Sequence, residues 1–190
     1  ATPAQIGFYY SLSTILAQMS ESDLPNNISD LSYYFDGAAG LHSLDSARLS
    51  SFDQIHLTTL SNNYYTDDEI SCFLKWFDIE PEQSISLTGL SAEEMNLGVA
   101  KLVKALSFIK TFMPMFYDEL SAITREIILA KPSGHEKLYF GGVSSFALWG
   151  AICLNANHHD DWKSYVPSLI HEYSHNVLFA KAMSGPLVEN

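Results

Sequence analysis

His171-Glu172-Tyr173-Ser174-His175 is a complete H-E-x-x-H, and the residues around it leave that stretch little choice but to be helical. Asp160 and Asp161 suit the positive N-terminal end of a helix, and Pro167 is tolerated in a first turn. Val166, Leu169, Ile170, Tyr173, Val177 and Leu178 recur at helical spacing. Ser184-Gly185-Pro186 supplies a stop, with Gly185 placed as the left-handed residue after the last turn and Pro186 unable to continue. A helix of about five turns is predicted, from near Ser164 to near Met183. On it the two histidines lie on one face with Cβ atoms roughly 5–6 Å apart, so both imidazoles can reach one divalent metal. Glu172 projects about a quarter-turn away, close to a metal-bound water without being a ligand. The plain alternative, two ordinary histidines on a solvated face, sits poorly with a helix that is otherwise apolar.

The rest of the chain narrows the chemistry. With 190 residues it fits a single domain, 1–190, long enough to bury a real core. Hydrophobic residues make up 47% and mean hydropathy is +0.02, values of a globular protein, and no apolar run approaches the ~20 residues that span a membrane. The net charge of −12 argues against nucleic acid and against anionic membrane surfaces as partners. Cys72 and Cys153 each sit in an apolar run, as buried free thiols of a reducing compartment do, and are not spaced to share a metal. No secretory signal is visible, so a cytoplasmic location is expected.

Thr2-Pro3 reads as the start of a helix to about Met19. Residues 21–63 are loop-rich, punctuated by Asn26-Asn27, Gly37 and Gly40, with short helical turns expected at Ser29–Phe35 and Asp45–Leu57. Thr66-Asp67-Asp68-Glu69 opens a helix that Glu80-Pro81-Glu82 ends, and Ser91 with Glu94 forms a capping box for the next. That helix breaks at Pro114, and a second helical stretch is predicted from Met115 to about Leu129. Phe108, Phe112, Met113, Met115 and Phe116 cluster at the break, where core packing is the default and a substrate wall the functional alternative. After a turn at Lys131-Pro132-Ser133-Gly134, Lys137–Val143 and Phe146–Leu154 read as two short strands. Gly141-Gly142 indicates a bulge or a close backbone approach. The expected architecture is α+β: mostly helical, with a small sheet beside the H-E-x-x-H helix, in the manner of zincins. Strand Phe146–Leu154 is expected along the metal cleft, offering unpaired backbone to a peptide.

Two histidines do not complete a centre. A thermolysin-type peptidase needs a downstream Glu, and a metzincin continues its motif to a third His. Here His175 is followed by Asn-Val-Leu-Phe-Ala-Lys, and Glu189 is the one downstream carboxylate. His42, His56, His135 and the pair His158-His159 are the other histidines, none with a spacing that recommends it. The site is therefore expected to be completed from outside the motif: by Glu189, by a distant His such as His42 or His135, or by a second polypeptide.

The run Leu169-Ile170-His171-Glu172, with His175-Asn176-Val177-Leu178-Phe179 and Gly185-Pro186-Leu187-Val188-Glu189-Asn190, resembles bacterial HExxH-motif proteins found with ribosomally made, modified peptides (RiPP biosynthesis). The resemblance is specific over about the last 25 residues and one of general layout elsewhere. It implies an Fe(II)- and 2-oxoglutarate-dependent peptide β-hydroxylase, an oxidoreductase of the bacterial cytoplasm acting on a precursor peptide, with His171 and His175 as metal ligands. Members continue past the point where this chain stops, with a further His and with Arg residues for the co-substrate carboxylate, so the chain is expected to be a fragment, half of a cut chain or a divergent inactive member. Its two arginines are Arg48 and Arg125. Two other readings stay open: a zinc metallopeptidase with Glu172 as general base, and an inactive peptide-binding or scaffold domain.

Overall fold

The computed structural model describes residues 50–77, 86–133 and 141–182, together with Pro3 and Ile6. Pro3 and Ile6 are helical, as expected for that segment; the rest of the expected helix to Met19, the features of residues 21–49 (with His42 and Arg48), the stop at Glu80-Pro81-Glu82, Gly134, His135, the start of the 137–143 strand, the Gly185-Pro186 stop and Glu189 lie outside the described residues.

A six-stranded mixed sheet runs through the molecule. Its strands are β1 (Ser50–Phe52), β2 (Ile55–Thr59), β3 (Leu87–Thr88), β4 (Glu126–Pro132), β5 (Gly142–Val143) and β6 (Ala151–Asn155). The order is β1-β2-β4-β6-β5, with β3 on the far end of β4. β2, β4 and β6 are parallel, and β1 and β5 close the two sides antiparallel. Four α-helices accompany it among the described residues: α1 (Asp67–Phe77), α2 (Ala92–Phe112), α3 (Pro114–Ile123) and α4 (Trp162–Ala182). The architecture is α+β, and none of the described helices is long and apolar enough to cross a membrane.

Because strand side chains alternate, the sheet builds two cores. Ile55, Leu57, Ile127, Leu129, Ile152 and Leu154 face α2, α3 and α4, meeting Leu102, Leu106, Ile109, Leu120, Tyr165 and Leu169. Ile128, Ala130, Ala151 and Cys153 face the opposite way, onto Phe73 and Phe77 of α1 and onto Leu148. Each fully buried side chain of this size contributes about 1.5–3 kcal/mol of transfer free energy. Cys72 and Cys153 are buried free thiols, as their apolar surroundings implied.

Local signals place the helix starts. Ser91 Oγ accepts from Glu94 N while Glu94 Oε2 accepts from Ser91 N, the reciprocal cap of α2. Thr66 and Glu69 make the same exchange at α1. Asp161 Oδ1 accepts from Lys163 N and Ser164 N, so α4 begins at Trp162, two residues earlier than predicted. Pro167 therefore lies inside the helix rather than in its first turn, and the Lys163 carbonyl lacks its usual donor.

Three expectations are corrected. Residues 50–52 and 55–59 are strands, not the helical turn expected through Leu57, because Ile55 and Leu57 alternate with His56 and Thr58 between the two sides of the sheet. The helix from Met115 stops at Ile123, and 126–132 is the central strand. Parallel strands covered on both sides read as continuous apolar runs, which periodicity cannot separate from a buried helix. At the helix break, core packing fails for three residues: Phe112 is 69% exposed, Met113 37% and Met115 80%, while Phe108 packs on Trp162 and Phe116 on Tyr173.

The α1 side of the sheet holds a polar cluster that an apolar core would not predict. Glu126, buried at the start of β4, accepts from Tyr65 Oη at 2.5 Å and from Thr58 Oγ1 at 3.4 Å. Thr58 and Tyr65 are themselves hydrogen-bonded. Burial pushes the Glu126 carboxyl up to about 7, against the pull of those two donors and helped by the nearby Glu69.

Candidate metal centre

The turn that precedes β6 and the helix that follows it are locked together. Asn176, fully buried, accepts from Gly150 N through Oδ1 at 3.0 Å and donates from Nδ2 to the Glu172 carbonyl at 3.1 Å. Trp149 Nε1 donates to the Asn176 carbonyl at 3.0 Å. Gly150 sits at φ 92°, where a side chain is strained, and its carbonyl also accepts from Arg125 N and Glu126 N. This knot sets the rotation of α4 against the sheet, with Leu169 and Tyr173 inward and His171 exposed.

On that outer face His171 Nε2 and His175 Nε2 lie 3.1 Å apart, with ring planes at 85°. Two nitrogens each about 2.0–2.1 Å from a shared ion, at an angle of about 90–109°, stand about 2.9–3.4 Å apart. The pair thus has the separation of two ligands of one metal. The same distance serves a hydrogen bond when one ring carries its Nε2 proton. Phe179 stacks on the His175 ring at 6.0 Å, and Phe146 meets Phe179 edge-on, so His175 is backed by an aromatic wall.

Glu172, between the histidines in sequence, turns inward. It is 3% exposed, and Ser144 Oγ donates to its Oε2 at 2.8 Å. Burial raises its carboxyl above the ordinary range; the Ser144 bond and then the two histidines pull it back. Gly142 makes this arrangement possible, since a Cβ there would stand 2.8 Å from Glu172 Cγ and 2.9 Å from Leu154 Cδ2. The close backbone approach expected at Gly141-Gly142 is what β5 makes with α4. Gly142→Ala is accordingly expected to push β5 off α4 and cost about 1–3 kcal/mol, read as a lower urea midpoint at unchanged slope.

Gly141, Gly142, Pro167, Ser168, His171 and Glu172 line a cleft of ≈370 Å³. Strand Phe146–Leu154 does not border it as expected. Phe146–Leu148 is a 3₁₀ turn, and β6 is paired on both sides, with β4 and with β5. Among the described residues the sheet edge beside the cleft is β5, the end of the order opposite β1. Asn155 N donates to the Gly141 carbonyl, so Gly142, one residue on and opposite Leu154, turns its own N–H and C=O away from β6.

No group of three metal-binding side chains occurs among the described residues. His56 shares a strand face with Thr58, across the sheet from α4. His159 is buried, its ring 4.1 Å from that of Tyr165 and its Nε2 3.0 Å from the Gly141 carbonyl oxygen. Arg125 is exposed beside Gly150 at the start of β4. The donor set suits two positions of an iron or zinc centre, with imidazole as ligand type. Sequence reasoning missed Ser144 and Asn176; neither has a local signature, because each acts across the chain. No protein-family model matches the chain, and no curated protein matches its sequence.

Proposed function

We propose that the chain is the metal-binding part of a peptide-modifying enzyme of zincin-like layout, with Fe(II)- and 2-oxoglutarate-dependent β-hydroxylation of a ribosomal precursor peptide as its reaction. The observation that carries this is the 3.1 Å separation of His171 Nε2 and His175 Nε2, with His171 lining a cleft. Bound iron would supply oxygen activation, held by His171, His175 and a third ligand from outside the described residues. The chain's own residues do the rest. Gly142, with its backbone groups turned away from β6, offers an extended peptide a strand edge next to the metal pair. Glu172, buried and tied to Ser144, sets its carboxyl close to the imidazoles.

Zinc-dependent peptide hydrolysis is the second reading, favoured by Glu172 lining the same cleft as His171 with a carboxyl more basic than usual. Metal analysis followed by incubation with precursor peptide, Fe(II) and 2-oxoglutarate separates the readings. A gain of one oxygen with release of succinate is the expected result. Cleavage without co-substrate makes the protein a peptidase, and peptide binding with neither product makes it an inactive binding domain.

A further inference from the structure

We propose that Ser144 is a positioning residue: its hydroxyl fixes one carboxylate oxygen of Glu172 so that the other is presented to the cleft beside His171. The inference rests on the metal-centre reading above. Residues 142 and 144 are two apart, so they address the same side of their extended segment. At 142 the missing side chain leaves room for the Glu172 stem, and at 144 the hydroxyl reaches the head, 2.8 Å from Oε2. Ser144 is 8% exposed, and the next residue, Ser145, accepts from Leu148 N and so anchors the backbone that carries it. The Ser144 hydroxyl is the hydrogen-bond donor to the Glu172 carboxylate among the described residues, and Glu172 itself borders the cleft.

A glutamate has three rotatable side-chain bonds, and a hydrogen bond to one oxygen narrows the arrangements its carboxylate takes. A buried carboxylate would take any donor for stability alone, so the proposal needs more than a stability measurement. The test compares the crystal structures, zinc affinity and peptide turnover of the wild type with those of Ser144→Ala, Ser144→Cys and Ser144→Thr. Cysteine keeps the size with a weak donor, and threonine keeps the hydroxyl. Alanine should leave zinc affinity within about twofold, release Glu172 from its wild-type rotamer, and lower kcat roughly 10–100-fold with KM little changed. Cysteine should show the same loss in smaller measure, and threonine should restore the rotamer and kcat. A Glu172 side chain that keeps its wild-type rotamer in both the alanine and cysteine variants overturns the assignment, as does a loss of zinc affinity as large as that of His171→Ala. If wild-type protein turns over no peptide while Ser144→Ala still displaces Glu172, the reaction reading fails and the positioning role stands.

Discussion

Alanine at His171 is expected to lower affinity for Zn(II) or Fe(II) by roughly 100-fold or more while leaving the fold intact. Loss of outer-shell partners alone costs 10–100-fold in metal sites, and a direct ligand costs at least as much. The side chain is exposed on α4, whose packing comes from Leu169 and Tyr173 on the other side. Surface changes of this kind stay within about 0.5 kcal/mol, so the melting temperature should move by no more than about 2 °C. His175→Ala should bring the same loss of affinity with a slightly larger effect on stability, because its ring is half-buried against Phe179. The two substitutions should not add, since each removes the same ion. Competition with a chromophoric chelator, alongside a thermal melt, reads both quantities. Affinity unchanged in both single variants would move the centre away from this helix.

The second large effect is set on the opposite side of the sheet. Glu126 has a folded-state value of about 7 against an ordinary 4.5, so the folded protein binds that proton more tightly than the unfolded chain does. Its contribution is fully present below about pH 4.5 and is lost as pH rises through 7. Each unit between the two values is worth about 1.4 kcal/mol, which makes the loss about 3 kcal/mol at full ionisation. Glu126→Gln keeps an acceptor for Tyr65 Oη and removes the titration. Wild-type stability should therefore fall relative to the variant between pH 5 and pH 8, with the variant the more stable at the upper end. Glu172 is shifted in the same direction, but it is common to both proteins, so the difference between their urea curves isolates Glu126. Curves that stay parallel across this range would show that Glu126 is ionised in the fold throughout.

Features written in neighbouring residues were legible in the sequence. The pairs Ser91 with Glu94 and Thr66 with Glu69 mark helix starts, Pro114 marks a break, and the spacing of His171 and His175 puts both rings on one side of any helix. What depended on distant pairing was not. Ile127–Leu129 is a central strand only because β2 and β6 flank it, and as a short apolar run it reads equally well as the end of α3. The same cause misplaced the edge beside the cleft: β6 is apolar enough for either role, and its position between β4 and β5 decides. Within the site the closeness of the two histidines was legible, whereas Ser144 meets Glu172 across 28 positions and Asn176 meets Gly150 across 26.

The knot at Asn176 makes the cleft mechanically lopsided. Two hydrogen bonds, from Trp149 Nε1 and Gly150 N to Asn176, weld α4 to the root of the central sheet, and a third, from Asn176 Nδ2 to the Glu172 carbonyl, braces that side chain along its own helix. The facing wall is a two-residue strand and its leading Gly141, held by β6, by His159 Nε2 at the Gly141 carbonyl oxygen and by one serine hydroxyl on the helix. A guest that needs more room takes it from this thin jaw, because turning the helix would break the welded one. The histidines stay still while the wall that carries the strand edge and the grip on Glu172 gives way, so accommodation of a bulky guest and the placement of that carboxylate are one movement.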